Sequence, residues 1–222
     1  MTLAIDDAAT VRVPSPGAAP GADTTADDAP LLLLLHGYGA HEGDLVPLLE
    51  HLGHPGDAAA LRAPLPMDHG GWAWFPITTI GAPDPAAVQA AADAVLAWLA
   101  QHAGGRRVLV LGFSQGGAVA LQVARTSPQA FAALVVLSGF VSPTPHPGDA
   151  ALAAAAPPSF LGHGDADAVI PPAVTELTAA WMAEHTTLTR RAYTGLPHGV
   201  GGQEVADVAD FLAGLAGARV EG

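Results

Sequence analysis

The 222-residue chain has no cysteine, which excludes disulfides, thiolate metal sites and a cysteine nucleophile. Cationic side chains are scarce: 8 Lys+Arg stand against 21 Asp+Glu, for a formal net charge of −13. The only adjacent pairs are Arg106-Arg107 and Arg190-Arg191. Phosphate backbones and anionic lipid surfaces are bound by clustered Lys and Arg, so neither nucleic acid nor a membrane surface is an expected partner. Long apolar runs are missing too. The longest aliphatic run, Leu31 to Leu35, falls far short of the roughly 20 residues that span a bilayer. The start, Met1 to Asp7, has neither the basic opening nor the apolar centre of a secretion signal. A cytoplasmic protein without stable membrane insertion is expected. No His-Glu-x-x-His or other metal-ligand spacing unites the 10 histidines, so no metal and no cofactor is expected.

What is present argues for a compact globule: half of the residues are hydrophobic and 13% are charged, the reverse of a disordered composition. The length suits one domain, residues 1–222, in which the Pro/Gly/Ala/Asp/Thr stretch 14–30 reads as a flexible loop after a short strand around Val11-Arg12-Val13. Leu31-Leu35, Val108-Leu111 and Leu134-Leu137 are continuous apolar runs bounded by Gly or Ser, the pattern of strands buried on both faces of a parallel sheet. Ala58-Leu61, Ser159-Leu161 and Leu188-Tyr193 are weaker strand candidates. Asp84 followed by Pro85 opens a helix with Val88, Ala91, Val95 and Leu99 on one side, ended by Gly104-Gly105. A second helix starts near Pro171-Pro172 and places Val174, Leu177, Thr178, Trp181 and Met182 toward the core; a third carries Val205, Val208, Leu212 and Leu215. Strands alternating with helices imply an α/β fold with a mostly parallel sheet covered on both faces, and ligands then bind beyond the carboxyl ends of its strands.

At one such end stands Gly112-Phe113-Ser114-Gln115-Gly116-Gly117, between an apolar strand and a helix-compatible stretch. A serine on a sharp strand-to-helix turn needs small neighbours two residues away on either side, because the backbone crowds there. Its hydroxyl is a weak nucleophile that requires a base, and the base requires an orienting acid. His198 in Leu196-Pro197-His198-Gly199 is the candidate base. Asp165 and Asp167 in Gly162-His163-Gly164-Asp165-Ala166-Asp167 are both candidate acids, one of them with a turn-forming role. Trp72, Trp74 and Phe75, in a glycine-bearing loop, read as the lining of a substrate cleft, with core packing as the ordinary alternative for each. The other histidines, His163 among them, read as loop and helix residues.

With these pieces in order, the chain resembles the α/β-hydrolase superfamily and, within it, the small lidless carboxylesterase, lysophospholipase and acyl-protein thioesterase family, from about Leu31 to Leu215. The carriers are Leu35-His36-Gly37-Tyr38-Gly39 with Asp44-Leu45, Trp74-Phe75-Pro76-Ile77, the serine motif, His163 through Pro171, and His198-Gly199. The resemblance implies a single-domain hydrolase fold without a substantial cap, the region between Gly139 and Pro158 offering a Pro/Gly/Ala segment in place of a two-helix cap. It implies Ser114 as nucleophile, Asp167 as acid, His198 as base, and the backbone amides of Tyr38 and Gln115 as an oxyanion hole. Tyr38 and Pro76 depart from the family pattern, which usually has a smaller apolar residue and an aspartate there. The expected activity is cofactor-free hydrolysis of a small-molecule carboxylic ester of short to medium chain. Acyl-protein thioesterase or lysophospholipase activity with the same residues is the alternative, acyl transfer or perhydrolysis a third reading, and a non-catalytic binding module the reading from another class. Oligomeric state is left open, a homodimer included.

Overall fold

The computed structural model describes residues 3–15 and 30–217; apart from its ends, the expected loop 14–30 lies outside them. The strands in chain order are β1 (Val11–Val13), β2 (Leu31–Leu35), β3 (Ala58–Leu61), β4 (Leu65–Pro66), β5 (Trp72–Ala73), β6 (Val108–Phe113), β7 (Phe131–Leu137), β8 (Pro158–Gly164) and β9 (Thr187–Tyr193). The helices are α1 (Leu49–Leu52), α2 (Pro85–His102), α3 (Gln115–Thr126), α4 (Asp149–Ala155), α5 (Pro172–His185) and α6 (Gly202–Gly217). Seven strands form one sheet in the order β1-β3-β2-β6-β7-β8-β9, and β4 pairs with β5 in a separate small ribbon. Only β1 runs antiparallel to its neighbour in the large sheet.

The all-leucine β2 shows why its sequence does not alternate. Successive side chains leave a strand on opposite faces. Leu31, Leu33 and Leu35 enter a core shared with α2 and α3, while Leu32 and Leu34 enter a second core with Leu52 of α1 and Val205, Val208 and Leu212 of α6. Both faces are covered, so both sets are apolar. The chain leaves β2 toward β3 on one side and then fills the other side from β6 onward. This reversal makes β2 and β6 the switch point, where the connections from their carboxyl ends part and leave a crevice.

The helices follow their expected registers with one exception. In α2, Asp84 caps the amino terminus by accepting from the Ala86 amide at 3.0 Å, and Val88, Ala91, Val95 and Leu99 are buried. In α5 the buried set is Thr175, Thr178, Ala179 and Met182, spaced as one helical face; Leu177 falls off that face and is 46% exposed. Threonine is tolerated inside because its hydroxyl is satisfied: Thr178 donates to the Val174 carbonyl at 2.8 Å and accepts from the Val141 amide at 3.1 Å.

Between β7 and β8 the chain forms the single short helix α4, which is tied down beside α3. Arg125 of α3, 1% exposed, donates to both carboxylate oxygens of Asp149 at 2.7 and 2.9 Å and to the carbonyls of Ser142 and Thr144 at 3.1 and 2.8 Å. Its guanidinium lies over the Trp181 ring, 5.1 Å from the centroid. A buried cation is tolerated only when so fully matched, and removing its counter-charge is costly. Asp149→Ala is expected to lower the unfolding free energy by about 3 kcal/mol in urea titrations; a loss under about 1 kcal/mol would show that the carbonyls alone suffice for Arg125.

Candidate active site

Ser114 occupies the turn from β6 into α3 with φ 52° and ψ −115°, a left-handed geometry that costs a non-glycine residue of order 1–3 kcal/mol. Its neighbours enforce it. The Ser114 amide donates to the Leu137 carbonyl at 2.8 Å. A Cβ on Gly112 would come within 2.4 Å of the Gly116 carbonyl oxygen, and one on Gly116 within 2.0 Å of the Leu35 carbonyl oxygen. The two glycines of the motif are therefore contact requirements, and the elbow is pressed against the end of β2.

The loops after β8 and β9 bring the partners to this serine. His198 Nε2 lies 3.0 Å from Ser114 Oγ, and His198 Nδ1 lies 2.7 Å from Asp167 Oδ2. The other Asp167 oxygen accepts from the amides of Val169 and Ile170 at 2.7 and 2.9 Å. Burial by itself pushes the Asp167 carboxyl up, but the His198 hydrogen bond and the two amides outweigh it and hold the group below its ordinary value. A carboxylate that stays ionised fixes the proton of His198 on Nδ1 and leaves Nε2 as the acceptor facing the serine hydroxyl. Phe113 packs its ring 5.0 Å from that of His198.

Asp165 does different work. It accepts from the Gly195 amide at 2.6 Å and so joins the loop after β8 to the turn after β9. His163 sits behind the acid, 3.6 Å from Asp167 Oδ2 and 3.1 Å from the Thr175 hydroxyl. Burial depresses its basicity against the pull of Asp167, so it is neutral there at physiological pH.

Tyr38 and Gln115 flank the serine on the side of β2. Gly37 is close enough that a Cβ on it would stand 3.6 Å from Ser114 Cβ, so the loop bearing Tyr38 passes beside the nucleophile candidate. That loop is braced from below. His36, 2% exposed, accepts the Ala63 amide at Nε2 (3.1 Å), which leaves Nδ1 to donate to the Gly37 carbonyl at 2.7 Å. Burial keeps this imidazole neutral. The Gln115 side chain, wholly buried, accepts from the Trp74 amide at 2.8 Å and donates to the Phe75 carbonyl at 2.7 Å. The Trp74 indole donates to the His36 carbonyl at 2.8 Å.

The expectation that Trp72, Trp74 and Phe75 line a cleft is corrected here. Trp74 and Phe75 are wholly buried in the core, because the indole N–H and the two backbone groups find their partners only inside the brace. Trp72 is half-buried beneath the Arg62 guanidinium, 4.8 Å from its centroid, and its backbone pairs with Gly39 and Ala40. The cleft over Ser114 and His198 has a volume of about 450 Å³, and its apolar wall comes from Tyr38, Ile77, Ile80, Phe113, Phe140 and Val169, with Asp44 at its edge. Sequence reasoning named Tyr38 only for its backbone amide and missed the other wall residues. Phe113 and Val169 carried a usable signal, since Phe113 ends β6 beside Ser114 and Val169 follows Asp167 by two residues in the loop after β8.

Beneath the loop that carries His198, Glu204 is wholly buried, accepts from the Gly201 amide at 3.3 Å through one oxygen and leaves the other unpartnered against Gly162. Burial pushes its carboxyl up to about 7, with Asp207 adding to the effect and the Gly201 amide opposing it. The folded state thus prefers the protonated acid. Its stabilisation is full below the ordinary glutamate range and is lost as pH rises from about 4.5 through about 7, up to roughly 3 kcal/mol in total. Glu204→Gln is expected to flatten the fall in stability between pH 4.5 and 8, measured by denaturant titration across that range; parallel pH profiles for the two proteins would contradict it. Among the described residues no group of His, Asp and Glu could hold a metal ion, and no helix is long and apolar enough to cross a membrane.

Known proteins share this fold. The acyl-protein thioesterase 1 of Mycosarcoma maydis is 31% identical over 117 residues, 48% of this chain and 47% of that protein; the chain thus spans about half the length of this relative. The carboxylesterase of Bacillus cereus superposes with a TM-score of 0.78 at 20% identity, covering 93% of each chain. The acyl-protein thioesterase 2 of Zea mays does so with 0.73 at 24% identity, covering 93% of this chain and 98% of its own. At these identities the two structures speak for the α/β-hydrolase fold. A family profile described as Phospholipase/Carboxylesterase matches residues 22–216, nearly the whole described sheet with its helices, and the chain belongs to this phospholipase/carboxylesterase family of hydrolases.

Proposed function

We propose that the protein is a serine carboxylesterase acting through an acyl-enzyme on small carboxylic esters of short to medium chain, without a cofactor. The observation that carries this reading is the unbroken chain Ser114–His198–Asp167, with steps of 3.0 and 2.7 Å, placed where an apolar cleft opens. Ser114 Oγ attacks the ester carbonyl carbon while its proton passes to His198 Nε2, and Asp167 stabilises the imidazolium. The oxygen of the tetrahedral intermediate is met by the amides of Tyr38 and Gln115, the latter at the positive end of α3. The C–O bond to the alcohol breaks as His198 returns the proton to the leaving oxygen. Water, deprotonated by His198, then attacks the acyl-enzyme; the acid leaves and Ser114 regains its proton.

Thioester cleavage would use the same atoms, and the Mycosarcoma maydis relative supports keeping acyl-thioesters among the substrates tested. Nucleic acid and anionic membrane surfaces, poor partners for a chain of net charge −13, do not enter this reading.

A fluorophosphonate probe is expected to label wild type and not Ser114→Ala, and Ser114→Ala is expected to lower kcat by about 10⁴-fold or more with the fold intact. Retention of a tenth of the activity by a folded Ser114→Ala protein would remove Ser114 from the mechanism. Asp167→Asn favours the wrong tautomer of His198 and is expected to cost about 10³ to 10⁴ in kcat. Asp165→Asn is expected to cost about 1 kcal/mol of stability and little rate; melting temperature and activity, measured on both variants, separate the two aspartates, and the reverse pattern would move the orienting role to Asp165.

A further inference from the structure

We propose that Asp44 sorts substrates by charge, making the cleft selective for esters and thioesters whose leaving group bears a quaternary ammonium; this rests on the esterase reading above. Among the described residues, Asp44 is the one acidic residue lining the cleft that holds Ser114 and His198. The neighbouring acid, Glu42, is matched by a two-pronged pair with Arg62 that holds its carboxyl well below the ordinary range. Among the described residues the ion-pair contact of Asp44 is with His41, at 3.9 Å, whose Nδ1 accepts the Gly43 amide at 3.0 Å. The negative charge of Asp44 therefore faces the cleft without a guanidinium beside it.

Among the described residues no Lys or Arg side chain lines the cleft to receive an anionic substrate. The chain contains no lysine. The described arginines are occupied elsewhere: Arg12, Arg62, Arg106, Arg125, Arg190 and Arg191 with carboxylates, and Arg107 with the Phe131 carbonyl. A carboxylate or phosphate entering the cleft loses hydration and meets Asp44. A quaternary ammonium loses little hydration, since it donates no hydrogen bond, and it is attracted both to the carboxylate and to aromatic faces. The aromatic surface is present: Tyr38 is 46% exposed, and Phe113 and Phe140 share its wall. The Asp44 side chain is half exposed, which limits the preference to roughly five- to tenfold.

The test compares kcat/KM for three thioesters of one acyl group: butyrylthiocholine, its uncharged isostere S-(3,3-dimethylbutyl) thiobutyrate, and the anionic S-butyryl-3-mercaptopropanoate. Thiol release is read directly, because the protein contributes no thiol of its own. Wild type is expected to prefer the choline ester over the isostere roughly five- to tenfold, with the anion slowest, and the preference is expected to shrink as salt rises. In Asp44→Asn the ratio of choline ester to isostere is expected to fall to about one; reading a ratio within each protein cancels any general loss of activity. A wild-type ratio at or below one, or a ratio unchanged in Asp44→Asn and indifferent to salt, overturns the charge selectivity, while turnover of the neutral isostere keeps the esterase reading standing. Failure to cleave any of the three, together with p-nitrophenyl butyrate, overturns the esterase reading itself.

Discussion

The contact on which the site depends is that of the Gly116 backbone against the carbonyl of Leu35. It leaves no room for a methyl group and so fixes how closely the elbow approaches the end of β2. From that distance follow the rest: the left-handed backbone of Ser114, the passage of Gly37 beside the serine, and the opening of the cleft between the two strand ends. A strained residue persists only where surrounding structure over-determines it. Here the Leu137 carbonyl, two glycines and the start of α3 do so together.

A second layer keeps the loop bearing Tyr38 in place. His36, Trp74 and Gln115 form a buried polar brace in which each donor and acceptor named above has its partner. Satisfied networks of this kind rigidify a site because any displacement strands a buried polar group. The brace explains why two large aromatic side chains in a glycine-bearing loop point inward. They supply structure to the loop above them, and the substrate wall is left to residues at the strand ends.

Much of this was legible in the sequence, for identifiable reasons. Strands such as Leu31–Leu35 and Val108–Phe113 are continuous apolar runs because both faces are covered, and the cap and first-turn proline of α2 are local signals. Ser114, His198 and the two aspartates stand out because their chemistry needs particular residue types at strand ends in a particular order. What could not be read was set by tertiary partners. The inward turn of Trp74 follows from the carbonyl of His36, nearly forty positions away in the chain, and the choice between Asp165 and Asp167 follows from which of them reaches the His198 ring. In α5 Thr178 reads correctly as core, but Leu177 misled because its apolar side chain reads as core, while the buried Thr175, whose hydroxyl meets His163, reads as surface. The pressure of Glu204 on its own ionisation was likewise invisible, since a glutamate in the first turn of a helix is ordinary and only its burial under Gly162 makes it otherwise.

The site draws its three side chains from the ends of β6, β8 and β9, and the last of these strands pairs within the sheet with β8 alone among the described strands, in parallel register from Pro158 with Thr187 to Gly164 with Tyr193. Parallel pairing across an intervening helix is a non-local contact, slow to form because the loop must close first. During synthesis the serine elbow can fold while His198 is still inside the ribosome or unattached to the sheet. On the esterase reading, a nascent chain at that stage would carry Ser114 without its base, and activity would wait for the outermost strand to pair with its neighbour.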